Sequence, residues 1–428
     1  MKNNIQKILN LIRSNKFEES LDVANSILNQ EKNFDLINLK GLIYFNLKEY
    51  EKSYNCYSSA LKLNSNSFGS FFSRATALFE LGKFEEAIED FKKSLLINNK
   101  AYQVFESIGK CYSNLGENKK TIKYYNLALK LSPNNFKLIE MISEKLSETT
   151  LDEDKKNNIN ETNFAIQSLK YNYSLKNKIN DDEIKNLFVK AEKLIDKKFN
   201  NLIFTQTQIF RKNNLNLNCD RHFLVFNRFD VIPEFCFSCI KVTINLYNVV
   251  DLIKLFLIFN NISLPNNNLR KCMIDLRPNS KVNYKGFIYC RSIQEAEDVK
   301  SQIDKIIKIN ISNKISANVK RGCSEFNKKY PGYENVNQNK VYYNSDWKKH
   351  EITIDEKYPK YKLIKKNYDT IKGISFNDIM IIKNWLFFAK LIKDETYKKI
   401  TQKIIVNPNL EKIIKINKLN NKKINLST

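Results

Sequence analysis

Apolar residues recur every three to four positions through the first 147 residues, the spacing of helices that each bury one face. A longer period lies on top of that spacing. Gly41, Ala75 and Gly109 are 34 apart, as are Tyr44, Leu78 and Tyr112; Ser53, Ala87 and Thr121; Tyr57, Phe91 and Tyr125; and Ala60, Ser94 and Ala128. Small residues at fixed places let two helices approach closely, and the aromatic positions fill the next layer. The period divides the region into units at 34–67, 68–101 and 102–135, the last closed by Pro133. Residues 2–28 form a degenerate first unit with Ser20, Ala24 and Ile27 at the packing positions, and a helix over 135–147 is expected to cap the stack.

Residues 148–162 are polar and read as a linker, followed by connecting helices at 163–175 and 181–198. From about 236 the pattern changes to strict alternation. Strands are expected at 239–246, 271–277, 285–290 and 316–321, with helices at 252–259 and 296–307 between them. Pro278 to Asn283 makes a hairpin loop, and Ser292 to Glu295 reads as a capping box. The order βαββαβ implies a four-stranded antiparallel sheet, order 4-1-3-2, backed by two helices: a ferredoxin-like plan. Ser375 to Asp378 caps a further helix, whose Met380, Trp385 and Phe388 are expected to pack rather than form a site.

A 34-residue period with small residues at two fixed places and aromatics between them resembles the tetratricopeptide repeat. The resemblance implies paired helices stacked into a superhelix, each unit burying its apolar face against the next. It also implies a concave groove, lined by the first helix of each pair, that takes a protein or peptide. Mapping by the period places Asn38, Phe45, Asn46, Phe72, Phe79, Glu106, Lys110 and Asn114 on that groove. The alternative is that some of these rings pack between repeats. The fold class is therefore an all-α repeat superhelix, a basic α+β domain and a C-terminal helical segment. The spans are 1–147, linker 148–162, connecting helices 163–200, α+β domain 201–330, and a Tyr-, Lys- and Asn-rich segment with helices over 331–428.

The chain carries a formal charge of +25, unevenly spread. Residues 1–150 hold 21 basic and 17 acidic residues, whereas 211–330 hold 20 and 10. Seven of the nine arginines lie between 211 and 321. An anionic partner for that half is one reading, and a solvated lysine-rich surface is the other. The third strand begins Lys285-Gly286-Phe287 and continues to Tyr289, which is similar to the RNA-recognition motif. That resemblance implies bases stacked on aromatics of the sheet face. Lys241, Arg277, Phe287, Tyr289 and Lys320 are candidates for RNA or another polyanion, though the first strand lacks its aromatic and Asp275 opposes phosphate. Burial of Phe287 and Tyr289 under other elements is the alternative.

Cys219-x2-His222 and Cys236-x2-Cys239, 13 residues apart, have the spacing of a zinc site. Thiols filling core, and an ordinary buried histidine, are the alternative. The 4-1-3-2 order also gathers Cys236, Cys239, Cys272, Cys290 and Cys323 at one sheet end, flanked by Arg270, Arg291 and Arg321. Cys272 and Cys290 are expected to face each other there, beside an anion, with thiol pKa values open to lowering; the alternative is that both, in phase with Ile274 and Ile288, point into the core. No glycine-rich phosphate loop or nucleophile elbow is present. No membrane span, no secretion signal and a cytoplasmic location are expected. Protein recruitment by the groove is the leading expectation; RNA binding by the sheet face and a metal- or thiol-dependent enzyme are the alternatives.

Overall fold

The computed structural model describes residues 2–416 apart from 29–32, 151–156, 172–173, 214, 278–279, 281, 338–339 and 364–367. The expected linker and the 278–283 loop fall partly outside those residues. Eight helices come first: α1 (Lys2–Arg13), α2 (Phe17–Leu28), α3 (Phe34–Asn46), α4 (Tyr50–Leu63), α5 (Phe68–Glu80), α6 (Phe84–Ile97), α7 (Tyr102–Asn114) and α8 (Asn118–Leu131). Then follow α9 (Phe136–Leu146), α10 (Asn158–Gln167), α11 (Asp181–Asp196), β1 (Gln208–Arg211), α12 (Cys219–Phe229) and α13 (Glu234–Ser238). The sheet region is β2 (Ile240–Leu246), α14 (Val249–Asn261), β3 (Arg270–Ile274), β4 (Tyr284–Cys290), α15 (Ile293–Asn310) and β5 (Ala317–Arg321). α16 (Lys348–Lys357), α17 (Pro359–Lys362) and α18 (Phe376–Leu391) complete the set.

The chain forms two compact units. The first holds 1–134, 216–231 and 345–366; the second holds 135–215, 232–344 and 367–428. In the first, helices pair as the 34-residue period requires. Gly41 sits so close to Tyr57 that a Cβ on it would stand 2.8 Å from the ring. Gly109 and Tyr125 repeat that approach one period pair later. The Ser53 hydroxyl donates to the Gly41 carbonyl at 2.8 Å, so a small polar residue also ties the two helices together. Ala60, Ser94 and Ala128, one period apart, are fully buried at the small position that follows the aromatic one. The turn inside each pair needs a left-handed residue: Lys48, Gly82 and Gly116, again 34 apart, have φ of 66°, 78° and 74°.

Sequence-distant segments complete this unit. α12 and α16 share a small core of Val225, Val231 and Ile354. The Arg221 guanidinium grips Asp355 with two bonds of 2.6 and 2.9 Å and reaches Glu351 at 3.0 Å.

In the second unit the sheet order is β1-β3-β4-β2-β5. Read without β1, this is the expected 4-1-3-2 order, with all pairings antiparallel. The short β1 was not foreseen; it adds to the β3 edge, pairing Arg211 with Arg270 and Gln208 with Met273. Val242, Ile244 and Ile288 are fully buried, and Gly286 leaves the space that Leu255 and Phe259 of α14 occupy. α18 carries apolar residues around its whole circumference, with a few polar ones among them, and is buried along nearly its whole length, the pattern of a core helix. Its Trp385 is fully buried and donates Nε1–H to the Thr207 carbonyl at 2.8 Å. α9 also belongs to this unit, where the Glu140 carboxylate accepts from the backbone of Thr205 and Gln206.

Candidate protein-binding surface

The groove candidates lie on α3, α5 and α7, the first helices of successive pairs, and all of them are half-buried. Helical spacing fixes their polar ends locally. Asn38, Asn46 and Asn114 each donate a side-chain N–H to the carbonyl four residues earlier, at 3.0, 2.8 and 2.8 Å. The Asn38 amide oxygen also accepts from Ser70 of the next repeat at 2.7 Å. Glu106 and Lys110 pair one turn apart at 2.6 Å. The aromatic candidates lean on inner rings. Phe45 meets Tyr50 edge-on at 5.4 Å, Phe72 tilts against Phe91 at 5.5 Å, and Phe79 meets Phe84 edge-on at 5.4 Å. These rings therefore do two jobs, closing the inter-helix layer with one edge and keeping the other at the surface.

The period exposes a row that differs between repeats. Asn46, Glu80 and Asn114 occupy one repeat position, and Phe45, Phe79 and Ser113 the one before it. Only the third repeat carries a carboxylate there. That carboxylate is engaged: Lys360 of α17 reaches Glu80 at 2.7 Å, and its ammonium lies 5.4 Å from the centre of the Phe79 ring and 4.9 Å from that of Tyr361. Sequence reasoning missed this contact, which joins residues 280 positions apart. It also missed Arg74, which chelates Asp90 at 2.6 and 2.8 Å and reaches Ser58 at 3.3 Å, tying the second repeat to the third.

The sheet-face candidates sit on one face, as alternation requires. Phe287 lies opposite Thr243 and Lys271, and Tyr289 opposite Lys241, which in turn faces Lys320. The rings are not open platforms. Phe287 and Tyr289 are 7% and 8% exposed, and the Lys241 and Lys271 ammonium groups stand 4.9 and 5.4 Å from the Phe287 ring centre. The other cations there are matched. Arg277 binds Asp275 and Glu325, Lys285 binds Asp275, and Lys320 binds Glu334. Its cationic partners hold Asp275 well below the usual carboxylate range against the opposing effect of burial.

The cysteine-rich sheet end departs in two ways from the anion-site reading, and the burial of Cys272 and Cys290 follows the core-facing alternative. The β3–β4 register places Cys272 opposite Gly286, and Cys290 opposite Ile240 of β2, so the two thiols do not face each other. The loop sets this register, because the ladder starts at Ile274 and Tyr284. Burial also raises the thiols: Cys239 to about 11, Cys290 to about 12, and Cys272 further. Arg270 is buried and spends its donors on the carbonyls of Phe259 and Asn268, at 2.6 and 2.8 Å. Arg291 is exposed and Arg321 buried.

Of the zinc candidates, Cys219 and His222 lie one turn apart on α12 in the first unit, whereas Cys236 and Cys239 lie in the second. Among the described residues no group of three or more His, Cys, Asp or Glu is arranged to hold a metal ion. Burial, followed by the neighbouring Arg221, lowers the His222 pKa to about 4. No helix among the described residues is long and apolar enough to cross a membrane.

The family model described as anaphase-promoting complex, cyclosome, subunit 3 matches residues 14–94, and a tetratricopeptide-repeat model matches 102–135. No curated protein matches the chain. Among solved structures, MamA is 15% identical with a TM-score of 0.32, over 44% of this chain and 94% of that one. The first repeat domain of Spaghetti (RPAP3), bound to the HSP90 peptide SRMEEVD, is 24% identical with a TM-score of 0.26, over 26% and 90%. YrrB, described as a repeat protein with an unusual peptide-binding site, is 18% identical with a TM-score of 0.30, over 31% and 68%.

Proposed function

We propose that this tetratricopeptide-repeat protein captures a protein or peptide partner on the surface formed by α3, α5 and α7, and brings it to the basic half of the chain. The observation that carries the reading is the row Asn46, Glu80, Asn114 with Phe45 and Phe79 beside it. Aromatic edges backed by inner rings supply rigid apolar anchors. The amides are held in fixed rotamers by their own helix, so little side-chain entropy is lost when a partner docks.

The test is partner recovery. The tagged full chain is compared with an Asn46→Ala, Lys110→Glu, Asn114→Ala variant, whose substitutions lie on half-buried surface positions and spare the inner rings. Proteins enriched by the unaltered chain and reduced at least tenfold by the variant, with cross-links to α3, α5 or α7, support the proposal. Equal recovery by both chains overturns it.

A further inference from the structure

The third repeat already has an occupant. α16 runs on through a turn in which Tyr361 N–H donates to the Tyr358 carbonyl at 3.0 Å. The turn has the sequence Tyr358-Pro359-Lys360-Tyr361-Lys362-Leu363. Pro359 opens α17, where its fixed φ suits a first helical position. Three features of α5 and the turn after it fit this piece of chain. Glu80 receives the Lys360 ammonium at 2.7 Å, with both side chains four-fifths removed from solvent. Phe79 offers its ring to the same ammonium, and the nearby Tyr50 phenol is raised in pKa first by burial and then by the Glu80 charge. Gly82, in the left-handed region, leaves room for the Cδ1 methyl of Leu363, a side chain otherwise 46% exposed, since a Cβ there would stand 2.6 Å from that methyl. Asn218 of the first unit's second segment steadies the turn by donating to the Tyr361 carbonyl at 2.8 Å.

The repeat period gives this site its specificity. A cation set among rings needs a carboxylate in reach to repay its desolvation. The second and fourth repeats have Asn46 and Asn114 at that position, and only the third has an acid. Charge, ring and glycine converge at one repeat and are met there by a lysine, a tyrosine and a leucine.

We propose that Phe79, Glu80 and the Gly82 turn form a binding site for a lysine set between aromatic residues beside a proline turn. In this chain the site is closed in cis by residues 358–363, which a partner of the same chemistry displaces. The proposal rests on the recruitment reading and deepens it, because the site lies on the same row of side chains. Access to the third repeat is therefore governed by competition. A tethered segment acts at an effective concentration on the order of millimolar, so a free peptide with equal contacts is excluded until the tether is released.

The probe is a fluorescent peptide of residues 357–363, titrated by anisotropy into the full chain. The unaltered chain should bind it at least tenfold more weakly than a Lys360→Glu, Leu363→Asp variant, whose own segment cannot close the site. Adding Glu80→Lys to that variant should abolish binding. Equal affinity for the first two chains removes the cis closure. Failure of the opened variant to bind, or binding that survives Glu80→Lys, removes the site itself. Should the opened variant lose its helical circular dichroism, hydrogen exchange on the unaltered chain decides. Unlabelled peptide, supplied well above the roughly millimolar effective concentration of the tethered segment, should speed exchange at the amides of 360–363, and unchanged exchange there overturns the proposal. None of these failures touches recruitment itself, which is judged by recovery through Asn46, Lys110 and Asn114.

Discussion

Gly41 and Tyr57 touch so closely that the glycine's hydrogen is the largest group the pair admits: a Cβ would lie 2.8 Å from Cε1 and 2.9 Å from Cζ of the ring. The ring is buried, 3% exposed, so moving it disturbs the core around it. Gly41→Ala should therefore destabilise the repeat unit by about 1–3 kcal/mol, the usual cost of overpacking, despite a helix-propensity gain of about 1 kcal/mol. Chemical denaturation checks the sign. A stabilised variant would show that the ring moves freely.

Lys48 holds a left-handed conformation, φ 66°, where the next two repeats place glycine. A residue with a Cβ pays about 1–2 kcal/mol there, part of which glycine returns through the greater freedom of the unfolded chain. Lys48→Gly is expected to raise stability by about 0.5–1 kcal/mol. The readout is the thermal midpoint, and a fall would contradict the account.

His222 is buried, and its pKa is lowered from 6.5 to about 4, first by burial and then by Arg221, against the pull of Glu351 and Asp355. Below about pH 6.5 the unfolded chain takes up a proton that the folded one refuses. Stability from this residue is thus full above pH 6.5 and lost as pH falls towards 4, by up to about 3 kcal/mol. Subtracting the pH profile of His222→Gln from that of the unaltered chain isolates the effect. Profiles that run parallel between pH 4 and 6.5 would refute it.

Arg211 and Asp378 form a buried pair, with bonds of 3.1 Å from both Nη1 and Nη2 to the carboxylate. Asp378 also accepts from the Ser375 backbone at the start of α18, and Arg211 bonds Asn260 of α14. Removing one partner strands a buried charge, so Asp378→Ala should cost about 3–5 kcal/mol. A double change, Arg211→Met with Asp378→Ala, should recover part of the loss. Additive losses in denaturation would rule out the coupling.

The repeat array was legible in the amino-acid order because its contacts are short-range and recur. Gly41 meets Tyr57 sixteen residues on, and the same demand for small and aromatic residues reappears every 34. Alternation likewise gave away β2, β3, β4 and β5 and the single face shared by Lys241, Phe287 and Tyr289. Depth was not legible. Whether Phe287 meets solvent depends on Lys241 and Lys271 reaching over it from two different strands, and β1, at the β3 edge, is four residues long, too short to leave a periodic trace. Cys272 and Cys290 were misaligned because a loop's length, rather than the strand pattern, sets register.

Local order thus determined which helices pair, where they turn and which side chains share a face, since each of these follows from spacing along one element. Tertiary structure alone decided that α12 and α16 join the repeat unit, and that Lys360 finds Glu80 across 280 residues. An ion pair between distant segments leaves no period in the chain. It exists only where folding brings a cation, a carboxylate and a glycine-made space together.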